Sequence, residues 1–423
     1  MLGKNIIITA FGTYGDVHPI VAIANNLAEF FEQIIIITSG AFSSLFNNHK
    51  FQVVDVFSKE KYENILFSVN LNEYNGIVEY TKKYLVGALE PTFSALLEIN
   101  KLKPICAVIG TGFINGGAWG AEYLNIPYIK LSLSPHANRG VIAREHLLAT
   151  SKNPFYKPFF LLFVALASEV YYHRIVKAYL NPIRLNMKMK ALKRQNIFKP
   201  NQFSTIELYP DWFVDLPGKH QGNNYFTNFP LKDPSNPTIS DQTSETVKKC
   251  KGRPIIFTVG SATTKILEHV IYAYSLCSAL NCDGIFVSPF ISTLKNRTFP
   301  RIHLIEYADF PSLFSSGMLV IHHGGIGTVA QAIHAEIPQL IRPVAFDQKD
   351  NARRVERLGL GLTLTAKHHF SVEQSVSHIR FLLNSKAVTE AIAKYKVKIN
   401  RDNGLQNATA RVLQCISEAD IGK

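Results

Sequence analysis

Cysteine is scarce and poorly placed for cross-linking. The 423 residues include five (Cys106, Cys250, Cys277, Cys282, Cys415), an odd number, scattered, with no Cys-x-x-Cys pair. Neither a disulfide framework nor a zinc or redox motif follows from them, and a reduced, cytoplasmic compartment fits best. Long apolar runs are missing too: the longest, Phe159 to Ala167, falls short of the ~18 to 20 residues that a membrane-spanning helix needs. The apolar start, Asn5 to Ala10, is too short for a signal-peptide core and leads into a Gly/Asp turn, so it reads as a first β-strand. Charge is low, at 18% against 47% hydrophobic residues, which excludes disorder, and 25 Gly and 20 Pro exclude collagen-like or low-complexity sequence.

Acidic residues are absent from one stretch altogether. Between residues 171 and 200 stand eight cations (Arg174, Lys177, Arg184, Lys188, Lys190, Lys193, Arg194, Lys199) and no acid, and this segment supplies most of the net charge of +13. So local an excess argues against a nucleic-acid partner. With the aromatic-aliphatic run Phe155 to Phe163 before it, the segment reads in two ways: a helix lying on an anionic membrane surface, or a buried helix with a solvated basic face.

What is present is a repeated alternation of β-branched runs and helical patterns. The first part gives strands at 6–9, 34–38, 105–109 and 128–131 and a helix from Pro19 to Phe31. The pattern restarts with strands at 254–259, 285–287, 303–305, 319–321 and 339–341, and a helix carrying Leu267, Val270, Tyr274 and Cys277. Continuous Ile/Val strands between helices predict an α/β chain of two doubly wound parallel sheets. The proline-rich stretch from Phe229 to Pro237 marks a linker. The expected division is therefore 1–228, a linker at 229–240, a second domain at 241–400, and a last helix at 401–423 that pads the second domain or crosses back to the first.

Four loops carry candidate chemistry. Gly12 and Gly15 allow a tight strand-to-helix turn that sets Asp16 at a helix start, as a cap or as a base. Gly260, Ser261 and Thr263 open another helix, where free N–H groups suit a phosphate as well as an ordinary cap. The strand running into His322, His323, Gly324, Gly325, Gly327 and Thr328 is far more specific, since glycines let a backbone approach a diphosphate beside a helix N-terminus. Adjacent histidines on a strand point to opposite faces and no acidic cluster completes a shell, so no metal is expected there. Asp347 and Gln348, at the end of the next strand, offer a carboxylate and an amide to sugar hydroxyls; Arg342 is the nearest additional cation.

Together these motifs resemble glycosyltransferase family 1 of the GT-B fold, with two Rossmann-like domains facing across a cleft, and in particular bacterial rhamnolipid-type rhamnosyltransferases and sterol or antibiotic glucosyltransferases. The resemblance rests on Gly12 to Pro19, Arg253 to Ser261, Tyr307 to Phe314 and His322 to Gly359, in order and spacing. It implies inverting transfer of a hexose from a UDP- or dTDP-sugar to a hydrophobic acceptor, without a metal or bound cofactor, which the lack of an Asp-x-Asp motif fits. It also implies roles. Asp16, with His18 as the competing candidate, would deprotonate the acceptor, and His322, Gly325, Gly327 and Thr328 would cradle the diphosphate. Gly260, Ser261, Thr263, Tyr307 and Ala308 would line the nucleotide pocket; Asp347 and Gln348 would hold the sugar; Thr13, Ser134 and His136 would meet the acceptor. Where the plant branch carries a ribose-binding Glu the chain has Ala330, which leaves ribose to Gln331. A GT-B-shaped protein that binds without turnover and a sugar-nucleotide epimerase are the alternatives.

Overall fold

The computed structural model describes residues 5–71, 73–112, 115–137, 172–193, 203–214, 224–231, 241–261, 263–295, 297–365 and 370–421. The first sheet contains β1 (Asn5–Ala10), β2 (Ile34–Ser39), β3 (Phe51–Phe57), β4 (Ile105–Thr111), β5 (Tyr128–Ser132), β6 (Phe203–Glu207) and β7 (Asn224–Phe226) in the order β3-β2-β1-β4-β5-β6-β7. The second contains β8 (Ile255–Thr258), β9 (Gly284–Val287), β10 (Ile302–Ile305), β11 (Leu319–His322), β12 (Gln339–Ile341) and β13 (Gly361–Thr363) in the order β10-β9-β8-β11-β12-β13. Every pairing within both sheets is parallel. The central strands are buried on both faces, which is why they read as unbroken Ile/Val runs.

Both strand orders change direction at the middle, between β1 and β4 and between β8 and β11. The crevice beyond the C-terminal ends of strands at such a switch point is where open α/β sheets take ligands. Two elements differ from the sequence reading. The first helix begins at Tyr14 rather than Pro19, because Asp16 and Thr13 tie its start together and Pro19 lies within it. In the helix Leu267–Leu280, Tyr272 and Ala273 are buried and Tyr274 faces out.

The apolar run from Phe155 to Phe163, the stretch 232–240 of the linker, and Arg194 and Lys199 of the basic segment lie outside the described residues. Of the other cations of that segment, Arg184 is buried, paired with Glu122 at 2.6 Å and stacked over Trp119, so it adds nothing to a charged surface. Arg174, Lys177, Lys188, Lys190 and Lys193 are exposed. Among the described residues no helix is long and apolar enough to cross a membrane.

Candidate active site

A cavity of about 1410 Å³ opens between the C-terminal ends of the two sheets, lined from both. The strand β1 delivers Gly12, which adopts a positive φ of 127°, and a side chain there would collide with the Asp16 carboxylate. Tyr80 Oη donates to Gly12 O at 2.9 Å and fixes the turn from below. Asp16 Oδ2 accepts from Thr13 N at 2.7 Å and Thr13 Oγ1 at 3.0 Å. Burial raises its pKa to about 6, and the nearby Asp347 carboxylate adds to the rise, while the two Thr13 bonds oppose it. His18, two residues on, also lines the cavity; desolvation holds its pKa below the ordinary histidine value.

The second domain supplies the opposite wall. Gly260 (φ 77°), Ser261, Thr263, Tyr307, Ala308, Gly325, Gly327, Thr328, Gln331, Asp347 and Gln348 line the cavity, as do Thr13, Ser134 and His136 of the first. His322 does not. It is the last residue of β11, 1% exposed, and both ring nitrogens are engaged inside the fold: Nδ1 accepts from Gly324 N at 3.1 Å and Nε2 faces Gln339 Oε1 at 3.0 Å. Burial lowers its pKa to about 3, so it is neutral. The expectation that His322 reaches a diphosphate is therefore corrected: His322 braces the glycine turn and His323 is the histidine at the cavity wall. The His323 ring lies against Gly260 and Gly325, leaving no room for a side chain at either position, and burial lowers its pKa to about 4.

Helix Ile326–His334 points its N-terminus at the cavity, with Gly325 as the cap residue, so its first N–H groups are available to an anion. Gln331 Oε1 is buried and has no hydrogen-bond partner among the described residues. Asp347 receives Asn351 Nδ2 at 2.9 Å and is met across the cleft by Ser134; burial raises its pKa. Asn351 Nδ2 also donates to Gly324 O at 2.9 Å, which ties the glycine turn to the Asp347 loop. Gln348 Oε1 accepts from Val344 N at 2.8 Å and Ala345 N at 2.9 Å, so its amide NH2 is the group left for a ligand. Arg342 turns away from the cavity, between the rings of Tyr272 and Phe370.

Sequence reasoning missed Asn351 and Gln339, which hold the loops from outside the cavity, and Tyr80, which holds the Gly12 turn and also lines the cavity. The signal for Asn351 is its place one helical turn after Asp347. On the first domain's side Leu45, Leu71, Leu85, Leu89, Leu131 and Leu133 make the wall apolar.

Residues 293–404 match the family described as "Erythromycin biosynthesis protein CIII-like, C-terminal domain". A sterol 3-beta-glucosyltransferase of Saccharomyces cerevisiae (strain YJM789) is 21% identical over 420 residues, which takes in 95% of this chain and 34% of that protein. The chain thus spans about a third of this curated relative's length and smaller shares of others that it matches. Among solved structures, the calicheamicin glycosyltransferase CalG4 superposes with a TM-score of 0.73 at 17% identity, over 99% of both chains. The spinosyn rhamnosyltransferase SpnG complexed with thymidine diphosphate gives 0.64 at 15% identity, over 97% of this chain and 100% of that one. The chain has the fold of these proteins: GT-B, two Rossmann-like domains across a cleft.

Proposed function

We propose that this chain is an inverting, metal-independent glycosyltransferase, moving a hexose from a UDP- or dTDP-sugar to a hydroxyl of a hydrophobic acceptor. The observation that carries the reading is a single cavity with a carboxylate tuned to about 6 on one wall and a helix N-terminus on the other. A base with a pKa close to the working pH is the effective one. The acceptor O–H gives its proton to Asp16 and its oxygen bonds the anomeric carbon, while the bond from that carbon to the diphosphate oxygen breaks. The leaving diphosphate keeps the electron pair, and its growing charge is met by the N–H groups at Gly325 to Thr328 and by neutral His323 as a hydrogen-bond donor.

In this reading Asp347 and the Gln348 amide hold sugar hydroxyls, Gln331 meets the ribose, and Gly260, Ser261, Thr263, Tyr307 and Ala308 border the base. Tyr307, 70% exposed at the cavity mouth, is free to stack on it. The acceptor lies against the leucine wall beside Thr13, Ser134 and His136. Support for the two substrate classes comes from the relatives: one is named for sterols, and one structure is complexed with thymidine diphosphate. The domain limits that go with the proposal are 1–228 for the acceptor side and 241–400 for the donor side, joined at 229–240, with 401–423 as a closing helix. The exposed cations at 174–193 support encounter at an anionic membrane surface, and pelleting with anionic liposomes at low salt tests that part.

The central test is Asp16→Asn. Release of nucleoside diphosphate from UDP- or dTDP-hexose in the presence of sterol or macrolide acceptors should fall by ~10² or more, with melting temperature and nucleotide affinity held. Asn can still cap the following helix, so a merely structural Asp16 would give no kinetic change. Full activity in Asp16→Asn with loss in His18→Ala would move the role to His18. Acceptor-independent turnover, or none in wild type, would favour the epimerase or the non-catalytic reading.

A further inference from the structure

At the other end of the second sheet, away from the cleft, three side chains of metal-binding chemistry converge. Cys250 follows the helix Asp241–Lys249, Asp283 immediately precedes β9, and His303 lies in β10. One donor atom from each, a thiol sulfur, a carboxylate oxygen and an imidazole nitrogen, lie within 4.8 Å of one another. The residues are far apart in sequence, so no spacing motif reveals them. None of them borders the cavity.

The trio is nearly disengaged from other partners. Asp283 Oδ2 accepts from Lys251 N at 2.7 Å, which aims the carboxylate, while the Arg301 guanidinium stays 3.9 Å from Oδ1 and is drawn off by Asn281 at 2.7 Å. Among the described residues the Cys250 thiol makes only a long contact of 3.5 Å to Thr246 O. No hydrogen bond occupies the His303 ring among the described residues. In a tetrahedral zinc site, with Zn–S near ~2.3 Å and Zn–N near ~2.0 Å, donors stand roughly 3.5 Å apart, so small side-chain rotations would close the set. A mixed sulfur, nitrogen and oxygen set suits zinc and its first-row neighbours; magnesium and calcium prefer oxygen alone.

We propose that Cys250, Asp283 and His303 form a three-ligand site for a zinc-class divalent cation, remote from the sugar-transfer cleft, with water in the fourth position. On binding, the thiol gives its proton to solvent as the sulfur–metal bond forms; no electron transfer is involved. The cation would pin the helix Asp241–Lys249 to the margin of β9 and β10. The site does not depend on the glycosyltransferase reading.

The test is cobalt titration of the full chain after chelator treatment. The expected result is one cobalt per chain with a thiolate-to-cobalt charge-transfer band in the near ultraviolet, displaced by zinc, which also raises Tm. The band should persist in Cys282→Ser, vanish in Cys250→Ser, and require at least ~10-fold more cobalt in His303→Ala, since even loss of an outer partner costs ~10- to 100-fold in affinity. Melting of each metal-free variant beside metal-free wild type checks the fold, and His303→Ala carries the test if Cys250→Ser fails to fold. No band in wild type, a band that survives Cys250→Ser, or unchanged affinity in His303→Ala would overturn the proposal.

Discussion

His322 and His323 are neighbours in opposite surroundings, one inside the fold and one at the cavity wall, and substitution separates them. His322→Ala removes partners of the buried Gly324 N–H and Gln339 amide, and should cost on the order of 2 kcal/mol of stability, read by denaturant unfolding. His323→Ala should instead weaken nucleoside diphosphate binding and turnover together, read by calorimetry and kinetics, because its ring borders the cavity. The motif was legible in the sequence, as was the rule that successive strand residues face opposite ways. Which histidine faces the cavity was not, because that depends on β11 ending at His322, and strand ends are set by tertiary packing. The same residue-scale physics governs pH. Asp16 accepts a proton only when ionised, so kcat/KM should be flat above its pKa of about 6 and fall below it. Thr13→Val removes a hydroxyl that favours the ionised carboxylate, which raises the Asp16 pKa, so the acid limb should move to higher pH.

Among elements, the turn from β1 into the helix Tyr14–Leu27 has no room for a side chain at its glycine. Gly12→Ala places a methyl where the Asp16 carboxylate sits and strains a backbone at φ 127°. Loss of roughly 1 kcal/mol or more in stability together with a large fall in turnover is expected, measured by melting and by product release. A fall in stability alone would mean that Asp16 has no catalytic task. The central strands were legible because both of their faces are buried. The strands β3, β6, β7 and β13 were not: β7 and β13 are three residues long, and β3, at a sheet edge, mixes half-buried and exposed positions with only Phe57 buried. From sequence the first helix starts late because Pro19 looks like a helix start, whereas Thr13 and Asp16 set the true one.

At the scale of the whole molecule, the two halves each contribute to the other's core. Tyr209, Phe213 and Val214, just after β6 of the first sheet, are packed in the core of the second. Arg354 and Arg357 donate to Phe213 O at 3.2 and 2.9 Å, and Arg354 also pairs with Asp350 at 2.9 Å. Arg354→Met should therefore cost about 3 kcal/mol, as breaking a buried pair does, and should split one calorimetric transition into two. A single unshifted transition would show that the arginine does not couple the halves. In return, Ala408, Val412, Cys415 and Ile416 of the helix Gly404–Ile421 join the core of the first sheet, against the helix Tyr14–Leu27. The helical pattern of this segment was plain in the sequence, but periodicity does not say which core an apolar face meets.

That returning helix sets an order of events on the ribosome. At ~5 to 20 residues per second, the interval between completing β13 at Thr363 and delivering Ile416 is roughly 3 to 10 s. The half begun earliest is thus the half finished last, and its apolar seam beside the helix Tyr14–Leu27 stays open to solvent or to a chaperone until those final turns emerge.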